Sequence, residues 1–149
     1  MIRCFLIPGE AVGQARPRVT RHGTYTPAKS RKYKELVRQS YLEEYPDAEQ
    51  MTGPIRMDCI ISTGIPKSAS RQKKMDMITG KLLPTKKPDI DNIEKAIQDA
   101  LNGLAYEDDK QIIRHYADKQ YSETPCVLVY LRQRGDMGYD NDNTMEGPF

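Results

Sequence analysis

Six polar residues in the run KKPDIDNIEKAIQDALNGLAYEDDKQI, residues 86 to 112, could do chemistry together. Asp89 and Asp91 stand two apart at its start, Asp108 and Asp109 close it, and Lys95 and Asp99 lie between. Short carboxylates at positions i and i+2 of an extended lead-in, joined by one from further along, make a set of hard oxygen ligands. Such ligands suit Mg²⁺ or Mn²⁺, whereas zinc would call for His or Cys. Two carboxylates held about 4 Å apart repel by about 4 kcal/mol at an effective dielectric constant of about 20, a strain that a divalent cation would relieve. The same residues also admit a purely structural reading. Asp91 could cap a helix with Glu94 completing a capping box, Asp89 could favour the helix dipole, Lys95 could pair with Asp91, and Asp108-Asp109 could be a solvated turn.

A helix must position these groups. Ile93, Ala96, Ile97, Ala100, Leu101 and Leu104 recur at the spacing of one buried helical face. Pro88 forbids helix upstream and Asn102-Gly103 stops it, which predicts a helix from about Asn92 to Asn102. At 100° per residue, Asp91, Lys95 and Asp99 fall in a narrow sector opposite the apolar stripe.

The sequence KPDIDN, then Lys95, then DALNG, then Asp108-Asp109 with Gln111-Ile112, resembles the signature of the RusA family of Holliday junction resolvases, which are crossover junction endodeoxyribonucleases. The resemblance is dense over residues 86 to 112 and thinner elsewhere, reaching the GQARPRVTRHGTYTP stretch and the overall length. It implies that Asp89, Asp91, Lys95 and Asp109 carry the chemistry, that Asp89, Asp91 and Asp109 bind the metal, and that the protein is a homodimer. Asp99 and Asp108 would support that cluster.

The chain of 149 residues suits one domain with a single hydrophobic core. No window approaches the 18-residue apolar span of a membrane helix, and MIRCFLIPGE is too soon interrupted by Pro8 and Glu10 to be a secretory signal. Cys4, Cys59 and Cys126 are far apart, without CxxC spacing or clustered His, as expected of buried thiols in a reducing, cytoplasmic setting. The last fourteen residues hold four acids and no Lys or Arg, so the rest of the chain carries +6 against +2 overall. That charge is compatible with a nucleic-acid enzyme without being diagnostic. Residues 136 to 149 read as a disordered acidic tail after a domain spanning 1 to 135.

In chain order, Arg3 to Ile7 reads as a strand. Gly13 to Pro27 follows as a hairpin around His22-Gly23, with Val19 and Tyr25 available to pack and Arg16, Arg18 and Arg21 suited to phosphate contacts. A helix from about Ala28 to Glu44 buries Tyr33, Leu36, Val37 and Tyr41. Ile55 to Thr63 alternates as a strand with one well-buried face. Residues 64 to 88 are the most basic stretch: Ser68 or Ser70 could cap a short helix, and Arg71, Lys73, Lys74, Lys86 and Lys87 are candidates to hold DNA. Ile112 to Tyr121 and Cys126 to Arg132 read as two strands joined by a turn, the second apolar enough to be central. His115 within the first reads as a hydrogen-bonded structural residue.

These elements predict a single compact α/β domain, a mixed sheet covered by helices. The functional expectation is a Mg²⁺- or Mn²⁺-dependent endonuclease that nicks branched DNA, foremost four-way junctions. The alternatives are a non-catalytic DNA-binding module and a metal-dependent nuclease for flaps or duplex DNA.

Overall fold

A computed structural model of the chain describes residues 1–133. The acidic segment 136 to 149, expected to be disordered, lies outside the described residues.

Strand β1 (Ile2–Pro8) leads into a small hairpin, β2 (Arg18–Thr20) and β3 (Gly23–Tyr25). Then come helix α1 (Ala28–Glu44), strand β4 (Ile55–Gly64), helix α2 (Arg71–Ile78) and helix α3 (Ile90–Leu101). A single 3₁₀ turn, Asp109–Gln111, opens into β5 (Ile112–Ser122), and β6 (Cys126–Gln133) follows. This is the expected order of elements.

The main sheet runs β1-β6-β4-β5, with β4 and β5 parallel and the other pairs antiparallel. The turn after β5 does not close a hairpin between β5 and β6, because the two strands flank β4 on opposite sides. Their connection passes the end of β4 at Gly64, where a Cβ would stand 3.7 Å from Pro125 Cγ and 2.6 Å from Glu10 Oε1. β6 is central, as its apolar content predicted.

Helices α1 and α3 pack together over one face of the sheet. Their apolar stripes, Tyr33, Val37 and Tyr41 on α1 and Ile93, Ile97 and Leu101 on α3, meet Phe5, Ile7, Met57, Cys59, Ile61, Val127, Val129 and Leu131. β4 departs from the expected single buried face: Asp58, Ile60 and Ser62 on its other side are buried as well. Two flanking strands cover an interior strand more completely than alternation alone conveys.

On the sheet face away from the helices, the strand register aligns Leu6, Leu128 and Ile60 in one row and Cys4, Tyr130, Asp58 and Tyr116 in the next. Leu6 is 50% exposed and Ile2, on the same face, 63%. In the hairpin, Val19 and Tyr25 are exposed rather than packed. A two-stranded ribbon of three residues a side has no layer to bury them against. Cys59 is buried, whereas Cys4 and Cys126 are only half-buried, and all three are free thiols.

Candidate active site

Helix α3 begins two residues earlier than its periodicity suggested, at Ile90, with Asp89 as the N-cap residue in extended conformation (φ −71°, ψ 149°). The Asp91–Glu94 capping box does not form. Asp91 lies inside the first turn, and Glu94 is buried against β5, its Oε1 2.8 Å from His115 Nδ1. Within this helix Glu94 faces the sheet, where a buried carboxylate needs a polar partner. His115 therefore has the hydrogen-bonded role expected of it, with its ring 60% exposed beside the 5% exposed Glu94 side chain.

The Asp89 side chain makes no cap hydrogen bond. Asp91 and Lys95 are exposed on successive turns of α3, and Asp99 is half-buried one turn further. Among the described residues neither Asp91 nor Lys95 makes a side-chain hydrogen bond or ion pair, so the local Asp91–Lys95 pair is not formed. Asp99 is held from α1, its Oδ2 3.7 Å from Lys34 Nζ.

Beyond the helix, Gly103 takes a left-handed conformation (φ 72°) at the expected Asn102-Gly103 stop. The chain then reverses into the 3₁₀ turn, and the two adjacent aspartates part ways. Asp108 caps that turn: its Oδ1 accepts from Lys110 N at 2.9 Å, while Gln111 Oε1 accepts from Asp108 N at 3.2 Å. Gln111 Nε2 also donates to the carbonyls of Met51 and Gly53, both at 3.1 Å, which ties the turn to the approach to β4. The backbone bond from Lys110 holds the Asp108 carboxyl below its ordinary range. Asp109 behaves oppositely. Partial burial, the hydrogen bond with Asp108 and the charges of Asp99 and Asp108 raise its pKa, while Lys95 opposes them. Asp109 thus lies in the electrostatic neighbourhood of Asp99 and Lys95.

The tertiary fold therefore draws Asp109 towards the exposed side of α3 and leaves Asp108 as the structural member of the pair. Among the described residues no three His, Cys, Asp or Glu side chains converge closely enough to enclose a metal ion. Asp89, Asp91 and Asp109 are an open set of carboxylates whose all-oxygen chemistry fits Mg²⁺ or Mn²⁺, not a closed cage.

Asp89 also borders a cleft of about 520 Å³ lined by Val12, Arg18, Pro27, Lys29, Lys87 and Pro88 among others. Of the expected DNA contacts, Arg18 and Lys87 line this cleft, and Arg16, Arg21 and Lys86 are exposed on the adjoining hairpin and loop. Arg71, Lys73 and Lys74 are apart from it on α2, which Ser70 caps through its bond from Lys73 N at 3.2 Å. Reading the sequence did not single out Lys29 as a cleft residue, nor Glu94 and Lys119 as partners of the site. Lys119 Nζ donates to the carbonyls of Lys86 at 2.7 Å and Pro88 at 3.0 Å. A Lys in an edge strand carries no signal of such a contact.

The family model described as "Endodeoxyribonuclease RusA" matches residues 8–132. The chain is also 41% identical over 135 residues to the uncharacterized protein YqaN of Bacillus subtilis (strain 168), an alignment covering 87% of this chain and 94% of that protein. A match spanning both helices of the covering layer and the strands β4, β5 and β6 leaves one conclusion: the chain belongs to the RusA endodeoxyribonuclease family.

Proposed function

We propose that the protein is a divalent-metal-dependent endonuclease that resolves four-way DNA junctions by paired, symmetric nicks, working as a homodimer in the cytoplasm. The observations that support this reading are the packing of the Asp109 turn against α3, where Asp109 feels the charges of Asp99 and Lys95, and the basic cleft that Asp89 borders.

Phosphodiester hydrolysis needs an activated water, stabilisation of charge growing on the phosphoryl oxygens, and help for the departing 3′-oxygen. Bound Mg²⁺ or Mn²⁺ would supply Lewis acidity and lower the pKa of water. Asp89, Asp91 and Asp109 are the residues to hold it. Lys34 occupies Asp99 and Lys110 occupies Asp108, so these two acids shape the site rather than complete it. Lys95, without an ion-pair partner among the described residues, is the cation available to the scissile phosphate. Arg18, Lys29 and Lys87 offset the repulsion that an acidic site presents to a phosphate strand.

Each chain carries one such acidic set, while resolution needs two nicks related by symmetry. A twofold dimer meets that requirement, and the β1 side of the sheet face away from the helices, where Ile2 and Leu6 are exposed beside half-buried Leu128, is the surface suited to a second copy.

The test is cleavage of an end-labelled four-way junction with and without Mg²⁺. The expected result is metal-dependent paired nicking that Asp89→Asn, Asp91→Asn and Asp109→Asn each abolish with junction binding retained. Lys95→Ala should lower turnover more than binding. Binding without cleavage at any metal concentration would favour the DNA-binding module. Preferential cleavage of flaps or duplexes would favour the other nuclease.

A further inference from the structure

The backbone that delivers Asp89 is gripped from two sides. On one, Gly13 and Gln14 close against it: Gln14 N donates to Asn92 O at 2.9 Å, and a Cβ on Gly13 would stand 3.1 Å from Pro88 Cβ and 3.2 Å from Asn92 Cβ. On the other, the half-buried Lys119 ammonium bonds the Lys86 and Pro88 carbonyls. Lys119 sits opposite Ile61 in the parallel β4–β5 ladder, so its backbone is anchored in the sheet.

β5 therefore joins both halves of the site. The strand begins at the turn holding Asp109, passes Glu94 on α3 through His115, and reaches the approach to Asp89 at Lys119. Two carbonyls that converge on one cation are fixed relative to each other, and charge-assisted bonds resist the mutual repulsion of Asp89 and Asp91 that would spread an unpaired lead-in.

We propose that Lys119 is a positioning residue: by holding the Lys86–Pro88 backbone it sets where Asp89 stands relative to Asp91 and Asp109, and so controls divalent-metal affinity. This rests on the metal-site reading given above. Lys119 has two of its three donors engaged by backbone carbonyls, which makes its role distinct from that of Lys95.

The experiment is titration of the full chain with Mn²⁺ alone, followed by calorimetry and by the spin-resonance signal of free Mn²⁺. Metal-free junction binding and thermal melting are measured beside it. For Lys119→Met, Mn²⁺ affinity should fall by about 10- to 100-fold, as loss of a partner outside the ligand sphere does. Metal-free junction affinity should be unchanged, and Lys119→Arg should restore most of the metal affinity. If Lys119→Met does not fold, Lys119→Gln, whose amide reaches only one carbonyl, should give a smaller loss in the same direction. Unchanged Mn²⁺ affinity in a folded Met or Gln variant overturns the proposal; an accompanying fall in junction affinity would make Lys119 a direct phosphate contact instead. Wild-type protein that binds no Mn²⁺ overturns the metal-site reading itself, and this inference with it.

Discussion

Helix α2 offers a sharp test of how the basic segment meets DNA, because its geometry does not let its three cations act alike. At 100° per residue, Arg71 and Lys74 are about 60° apart around the axis, whereas Lys73 is about 160° from Arg71 and about 100° from Lys74. Met77, the buried residue of the helix, fixes its rotation against the body of the protein. One phosphate strand can therefore meet Arg71 and Lys74 together, while Lys73, although exposed, projects from a different side of the helix. Each lost phosphate contact reduces the slope of log affinity against log salt by about 0.9, so Arg71→Ala with Lys74→Ala should flatten it by about 1.8. Between 50 and 200 mM salt the double variant should then lose about 12-fold less affinity than wild type, the fourfold salt change raised to that power. Fluorescence anisotropy with a labelled junction, metal omitted, measures both slopes. Lys73→Ala should leave the slope unchanged. A Lys73→Ala effect equal to the double variant's, or no change in the double variant, would refute the assignment of one DNA-facing side to α2.

Mixing wild-type chains with Asp91→Asn chains should give heterodimers that nick a junction once without resolving it, and Leu6→Asp should produce monomers; sedimentation and product mapping check both. Gly13→Ala must push Pro88 or Asn92 by a few tenths of an ångström, and overpacking of this kind costs about 1 kcal/mol or more. Urea unfolding should show that loss, with cleavage reduced more than junction binding because Asp89 adjoins the contact. Ile97→Ala, beneath the acidic side of α3, should cost about 2–5 kcal/mol in the same assay; a loss under about 1 kcal/mol would mean that α3 is not anchored through its apolar stripe.

Local chemistry wrote much of this protein into its sequence. The 3.6-residue period of Ile93, Ile97, Ala100 and Leu101 determined which side of α3 is buried, and hence that Asp91 and Lys95 face outward. Helix α1 has the bounds that Pro27 and its apolar spacing predicted, because both signals act within a few residues. The start of α3 differs from the expected one where two local rules compete: Asp89 and Asp91 can both cap a helix, and Glu94, buried against the sheet, pairs with His115 instead of completing a capping box.

Contacts between residues distant in sequence were decided only by the fold. β5 and β6 look like a hairpin along the chain, yet each pairs with β4, whose two hydrogen-bonding edges are then both satisfied. The division of labour between Asp108 and Asp109 could not be read from two identical side chains. It follows from Gln111, which reaches back to Met51 and Gly53 and leaves Asp108 as a cap while Asp109 feels the charges of Asp99 and Lys95. The grip of Lys119 on the approach to Asp89 spans about thirty residues and consists of side chain to backbone bonds. Composition and periodicity encode which face of an element is buried, but not which backbone a long side chain will meet across the fold.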